Sequence, residues 1–224
     1  MAKDLILALD TSDRRCGLAI NRNGENLLDL SWDSGRSHTV QLMPWLDYAF
    51  KQLRLSKDSI SAVAVTTGPG SFTAMRVGMA TAKGICKALG VPIIGVPTLL
   101  YAAWPYRYFC KHIVACLVLG RGRLAAALYA TEDRGNLSLQ WCRSLSLQEL
   151  ANELDSLPYD RVLLCGDIPV ELKESLKDST RYLLLSPAES SRRLAVLAEI
   201  AWQRFRLGSV DNPATLQAEY LDRK

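Results

Sequence analysis

The chain opens on an unbroken apolar run, LILAL at residues 5–9, and two more apolar-rich segments follow at 16–21 and 27–32, with turn formers at 10–15 and at Asn23-Gly24 between them. Short apolar runs bounded by such residues read as strands, and three in close succession predict an antiparallel meander. The period then changes. Val40, Leu42, Met43, Leu46, Ala49, Phe50 and Leu53 recur at three- and four-residue spacing, which predicts a helix from Ser37 or His38 to about residue 53. Pro44 falls inside that run and should bend the helix or mark its true first turn. A strand at 62–66 comes next, then a glycine turn. A second helix runs to Leu89 with Phe72, Met75, Met79, Ala82, Ile85, Cys86 and Leu89 on one stripe, and a short strand covers 92–95.

The pattern then repeats in weaker form. Strands are predicted at 113–119, 124–130 and 138–143, a helix around 147–154, a strand at 161–165 and an amphipathic helix over 188–207. Three antiparallel strands followed by alternating helix and parallel strand is the ribonuclease-H-like order. The chain therefore reads as α/β with two such halves, each a mixed sheet with flanking helices, the second reduced. The expected domains are 1–105 and 106–224, with the last helix packing back on the first. Between the halves, the aromatic stretch YAAWPYRYF at 101–109 reads as a packed joint, and its arginine and following lysine also suit base stacking.

Composition narrows the function classes. With 27 Lys and Arg against 23 Asp and Glu in 224 residues, the net charge of +4 gives little electrostatic argument for nucleic acid. The pairs Arg14-Arg15, Arg192-Arg193 and Arg204 with Arg206 read as solvated surface. There is no signal-like N-terminus and no apolar stretch long enough to span a bilayer, so a cytoplasmic protein without membrane contact is expected. Cys16, Cys86, Cys110, Cys116, Cys142 and Cys165 are scattered without metal-ligand spacing, as expected of free thiols in a reducing compartment.

The stretch VAVTTGPGSFTAMRVGMATAKG at 63–84 carries the most chemistry, because it sets a buried strand, a glycine-rich turn and a helix in succession. Such a turn exposes backbone N–H groups at a helix N-terminus. Gly68 and Gly70 permit close approach, Pro69 stiffens the turn, and Ser71 stands where it would cap the helix. It is no P-loop, since the first lysine after Gly70 is Lys83, and no nucleophile elbow, since His38 and His112 are the only histidines.

The GPGSFT turn with its R-V-G-x-x-x-A-K-G helix, together with LILALDTS at 5–12, RSHTVQLMPWL at 36–46, LGVPIIGVPTL at 89–99 and LLCGDIP at 163–169, resembles the bacterial TsaB (YeaZ) family of tRNA threonylcarbamoyladenosine biosynthesis proteins. That family lies in the actin-like ATPase and sugar-kinase superfamily of folds. The resemblance implies that Asp10, Thr11, Ser12, Gly68, Gly70, Gly166 and Asp167 stand at degenerate phosphate-binding turns. Asp, Thr and Ser at 10–12 are equally plain turn formers, and Ile168 and Pro169 stiffen the second turn. The catalytic paralogue of the pathway holds its metal through an H-x-x-x-H pair; the matching place here reads PTLLYAA at 97–103, with Thr98 and Ala102 or Ala103. What the resemblance implies is then a non-catalytic subunit without a metal site or a tightly bound cofactor, with at most weak ATP or ADP and Mg²⁺ at a partner interface. The implied partners are the paralogue TsaD, the pathway ATPase TsaE, a second copy of the chain and, indirectly, tRNA. The expected pairing residues are Met43, Leu46 and Phe50 of the first helix, and Met75, Met79 and Lys83 of the second. Two other readings stay open: a small-molecule kinase or ATPase using Asp10 and Thr11, and a peptidase. In the second half, LGRGR at 119–123 stands where the family usually has an acidic turn.

Overall fold

The computed structural model describes residues 4–35 and 37–221, so Arg36 of the expected RSHTVQLMPWL motif lies outside the described residues. The first elements are β1 (Leu5–Asp10), β2 (Arg15–Arg22), β3 (Glu25–Asp33), α1 (His38–Gln52), β4 (Ile60–Gly68), α2 (Phe72–Leu89) and β5 (Ile93–Pro97). They are followed by α3 (Thr98–Ala103), β6 (His112–Gly120), β7 (Arg123–Thr131), β8 (Leu137–Ser146), α4 (Leu147–Ser156), β9 (Val162–Gly166), α5 (Val170–Leu176), β10 (Tyr182–Leu184) and α6 (Leu194–Arg206). Neither α5 nor β10 is expected from the sequence pattern; each is too short to display a period.

The strands form two five-stranded sheets, ordered β3-β2-β1-β4-β5 and β10-β9-β6-β7-β8. In the first, β1 and β2, and β2 and β3, are antiparallel, while β1 with β4 and β4 with β5 are parallel. The second repeats this pairing with β6 in the place of β1. Its strand number is full; the shortening falls on β10 and on the helices.

The chain divides into two compact units, one ending at Thr98 and regaining Arg193–Glu219, the other running over Leu99–Arg192 and resuming at Tyr220. Every residue of β1 is buried, as expected of a central strand covered on both faces. One face packs Leu5, Leu7 and Leu9 against Leu42, Leu46, Ala49 and Phe50 of α1 and Met79, Ala82 and Cys86 of α2. Helix α6 covers the other. A Cβ at Gly17 of β2 would run into the Leu194 side chain, so the glycine lets α6 sit close to the sheet. The returning segment is then tied down. Asp211 bridges Ile93 and accepts the Gly95 N–H at 2.8 Å, and the Glu219 N–H donates to the Thr67 carbonyl at 2.6 Å.

In the second unit, α4 and α5 cover one face of the sheet through Leu150, Leu154, Leu172 and Leu176, and α3 covers the other through Leu99, Ala102 and Ala103. A capping box starts α4: the Glu149 N–H donates to Ser146 Oγ, and the Ser146 N–H donates to the Glu149 carboxylate. One expectation about a helix start is corrected: Ser71 occupies the N-cap of α2 but makes no side-chain cap bond. Pro44 lies well inside α1, which leaves out the first-turn alternative.

Candidate functional site

The glycine turn and the turn after β1 do meet, and they meet backbone to backbone. The Ser71 N–H donates to the Ser12 carbonyl at 2.6 Å, and a Cβ on Gly70 would collide with that same carbonyl. Gly78, two turns into α2, faces the Thr11 side chain just as tightly. Each polar group at 10–12 is thereby turned into the unit. Asp10 Oδ1 accepts the Ser12 N–H at 2.8 Å and the Thr66 hydroxyl at 3.1 Å, and Thr11 Oγ1 donates to the Ala74 carbonyl at 2.7 Å. Asp10, Thr11 and Ser12 are all buried, and Ser12 Oγ is sealed without a hydrogen-bonding partner. Gly68, with φ +117°, is required by Glu219, whose carbonyl lies where a Cβ would go. The glycines make room for the protein's own chain, and these atoms do not fit a Mg²⁺-nucleotide as they stand.

The second acidic turn is closed in a different way. Gly166 has φ +83° and sits hard against the Cys116 carbonyl, which also accepts the Asp167 N–H at 2.8 Å. The Asp167 carboxylate pairs with the Arg192 guanidinium at 3.6 Å, and Arg192 Nε donates to the Tyr101 hydroxyl at 2.9 Å. The Asp167 carboxylate is thus engaged by a cation of the protein itself. Arg192 was expected on a solvated face, yet its side chain is only 6 % exposed. The Arg192-Arg193 doublet gave no hint that one arginine turns inward. Burial pushes the nearby Cys116 thiol up to about 12, with the Asp167 charge adding to it. Thr98, Ala102 and Ala103, at the place of the paralogue's metal pair, are buried apolar packing and a sealed hydroxyl. Among the described residues no three His, Cys, Asp or Glu side chains converge as a metal cluster.

The expected pairing residues separate into two groups. Leu46, Phe50, Met75 and Met79 are core side chains, Met79 only 6 % exposed, and so cannot present a docking face. A helix's main apolar stripe goes to its own sheet first. Met43 is 45 % exposed and Lys83 half-buried. The apolar surface of α1 and α2 lies elsewhere, at Val40, Met43, Trp45, Tyr48 and Phe72, all exposed. Phe72 was expected on the buried stripe; its ring instead lies under the Arg76 guanidinium at 3.7 Å. Along the same face of α2 runs an open groove of about 390 Å³ lined by Phe72, Thr73, Arg76, Val77, Ala80 and Thr81. On α1, Trp45 packs against Trp32 at 5.5 Å and edge-on to Tyr48 at 5.6 Å. Val40, Met43 and Phe72 stand at helical spacing with the buried residues, so the sequence pattern does not separate them from the core.

At the β6–β7 hairpin, Arg121 and its two glycine neighbours all have positive φ, and Arg123 is engaged by Glu149 at 2.8 Å and by Ser144. That arginine works inside the second unit.

Two five-stranded sheets with the same meander-plus-crossover pairing, and a glycine turn after β4, define a protein of two α/β units. A family model described as TsaD, tRNA N6-adenosine threonylcarbamoyltransferase, matches residues 33–136. The TsaB protein of Buchnera aphidicola subsp. Acyrthosiphon pisum is 30 % identical over 190 residues, 83 % of this chain and 86 % of that one. The one from Buchnera aphidicola subsp. Schizaphis graminum is 30 % identical over 141 residues, covering 62 % of this chain and 64 % of its own length. YeaZ from Pseudomonas aeruginosa superposes with a TM-score of 0.79 at 19 % identity, over 97 % of this chain and 100 % of that one. The chain belongs to the TsaB (YeaZ) family of tRNA threonylcarbamoyladenosine biosynthesis proteins.

Proposed function

We propose that this chain is a non-catalytic subunit of the assembly that places a threonylcarbamoyl group on the adenosine beside the anticodon of tRNAs reading codons that begin with adenine. It acts in the cytoplasm by binding and activating the metal-dependent paralogue TsaD, with TsaE as a further partner and tRNA reached through the assembly. The observation that carries this reading is the contrast within the first unit. The 10–12 turn is closed by the unit's own hydrogen bonds, while α1 leaves Val40 and Met43 exposed and α2 leaves Phe72 exposed at an open groove of its own. Exposed apolar side chains on these two helices suit a protein partner, TsaD or a second copy of this chain. Any nucleotide held with Mg²⁺ is held where a partner completes the site, because Asp10, Thr11 and Ser12 are sealed.

The test is reconstituted threonylcarbamoyl transfer to tRNA with TsaD and the other pathway components, this chain being present, omitted or supplied alone. Activity that requires the chain, with none from the chain alone, is expected. Equal activity without it would overturn the proposal. Mg²⁺-dependent ATP binding by the isolated chain, lost in Asp10→Ala, would turn the assignment to a kinase or ATPase, and peptide cleavage by the pure protein would turn it to a peptidase.

A further inference from the structure

The aromatic stretch before β6 is only half used by the fold. Trp104 and Tyr106 are half-buried, but Tyr108 is 67 % and Phe109 76 % exposed. Tyr108 lies against the turn at Gly135, where φ is +77° and a Cβ would strike the ring. The Arg107 guanidinium sits over both neighbouring rings, 4.3 Å from the centre of Trp104 and 4.5 Å from that of Tyr108. Next to it, Phe109, Cys110, Lys111, His112, Pro158, Tyr159, Asp160 and Arg161 line an open cavity of about 360 Å³. His112 and Tyr159 are stacked there, centres 3.5 Å apart and planes within 10°. Burial and the Lys111 charge hold His112 below its ordinary pKa, so the stacked imidazole is neutral near pH 7. At the cavity's rim the exposed cations Lys111 and Arg161 outnumber the one carboxylate, Asp160.

We propose that this patch on the second unit is a platform for single-stranded RNA, with unpaired bases stacking on Phe109 and over the His112–Tyr159 pair and phosphates meeting Lys111 and Arg161. Exposed π faces interleaved with guanidinium and ammonium groups are what sequence-tolerant stacking requires. Salt-sensitive phosphate contacts come with the cations. The patch stands apart in sequence from the α1 and α2 face assigned above to a protein partner. The inference rests on the tRNA-modification reading only for which RNA is bound in the cell.

The experiment is fluorescence anisotropy of the full chain with a short labelled oligoadenylate, with the same strand annealed to its complement as the duplex arm. The single strand is expected to bind, weakening as salt rises, and the duplex to bind at least several-fold more weakly. Phe109→Ala should lose roughly tenfold in affinity, Phe109→Trp should retain it, and Lys111→Ala with Arg161→Ala should flatten the salt dependence. Unchanged melting of each variant confirms that folding is intact, since these side chains are exposed. No single-strand binding by the wild-type chain, or binding indifferent to Phe109→Ala, would overturn the proposal. So would a Phe109→Ala variant that keeps RNA affinity and loses TsaD, which would make the patch a protein surface. A chain that binds RNA through Phe109 but is dispensable for threonylcarbamoyl transfer would sink the subunit reading and leave this one standing; the reverse result would do the opposite.

Discussion

Two glycines six residues apart in α2 should respond to alanine with opposite signs. Gly84 is exposed and an added Cβ meets nothing within 4 Å, so Gly84→Ala gains only helix propensity, about 1 kcal/mol. Gly78 has the same propensity to gain. Its Cβ, however, would lie far inside the 3.0 Å limit from Thr11 Oγ1, whose hydroxyl is buried and donates to Ala74 O at 2.7 Å. To make room, Thr11 must turn away from Ala74 or α2 must lift off β1. Leaving a buried hydroxyl unpaired costs about 1–3 kcal/mol, and overpacking adds about 1–3 kcal/mol. Set against the propensity gain, the net destabilisation is about 1–5 kcal/mol. In a chain of this size each kcal/mol moves the melting temperature by about 2–4 °C. Urea and thermal unfolding followed by circular dichroism should therefore place Gly84→Ala above the wild type and Gly78→Ala well below it. A Gly78→Ala protein as stable as Gly84→Ala would refute the claim that the 10–12 turn is packed shut by α2. Adding Thr11→Ala to Gly78→Ala should recover part of the loss, because it removes the colliding hydroxyl.

Met79→Glu puts a charge into the core and should cost about 3–5 kcal/mol, appearing as insoluble or partly unfolded protein, whereas the exposed Met43→Glu should melt like the wild type and weaken TsaD pull-down. Arg192→Ala removes the partner of Asp167 and of the Tyr101 hydroxyl; since Asp167 is half-exposed, a loss of about 1–3 kcal/mol in urea unfolding is expected. His112 is held below its ordinary 6.5 by burial, so the unfolded chain takes up its proton first. Its contribution is complete above 6.5 and declines as pH falls through the folded value, and His112→Asn should remove that upper part of the acid transition. The lowered carboxylates Asp33, Asp47, Glu149 and Glu189 act in the same direction at more acidic pH. With a thiol reagent on the native protein, half-exposed Cys142 should react first. Cys16 and Cys116, pushed up to about 12, and Cys165, also pushed well up by burial, should react only on unfolding.

The strands and long helices were legible because their burial is set by period, and a strand such as LILALD, apolar throughout, has few places to go except the centre of a covered sheet. Direction was less legible. The spacing predicts one stripe on α2 from Phe72 through Met75, Met79, Ala82, Ile85 and Cys86 to Leu89, and the exposed Phe72 departs from it, but a single sequence does not say whether a stripe faces its own sheet or a partner. The structure shows that it faces the sheet. Val40 on α1 and Phe72 on α2 stand at helical spacing with those stripes and yet stay exposed, so period alone does not separate them from the residues that turn inward. The same reasoning applies to the glycines. Gly68, Gly70 and Gly166 look like a phosphate cradle because glycine marks close approach, yet what approaches is backbone of this chain: Glu219, Ser12 and Cys116. All three of these partners lie fifty or more residues away in sequence, which no local pattern encodes. Arg192 shows the same limit from the polar side. Its neighbours predict surface, and the Asp167 carboxylate and Tyr101 hydroxyl that draw it inward come together only after the second sheet has formed. Gly68, Gly70 and Gly166 are thus accounted for by the close approach of this chain's own backbone. That makes the exposed α1 and α2 face, more than the turns, the place where selection for function should now be sought.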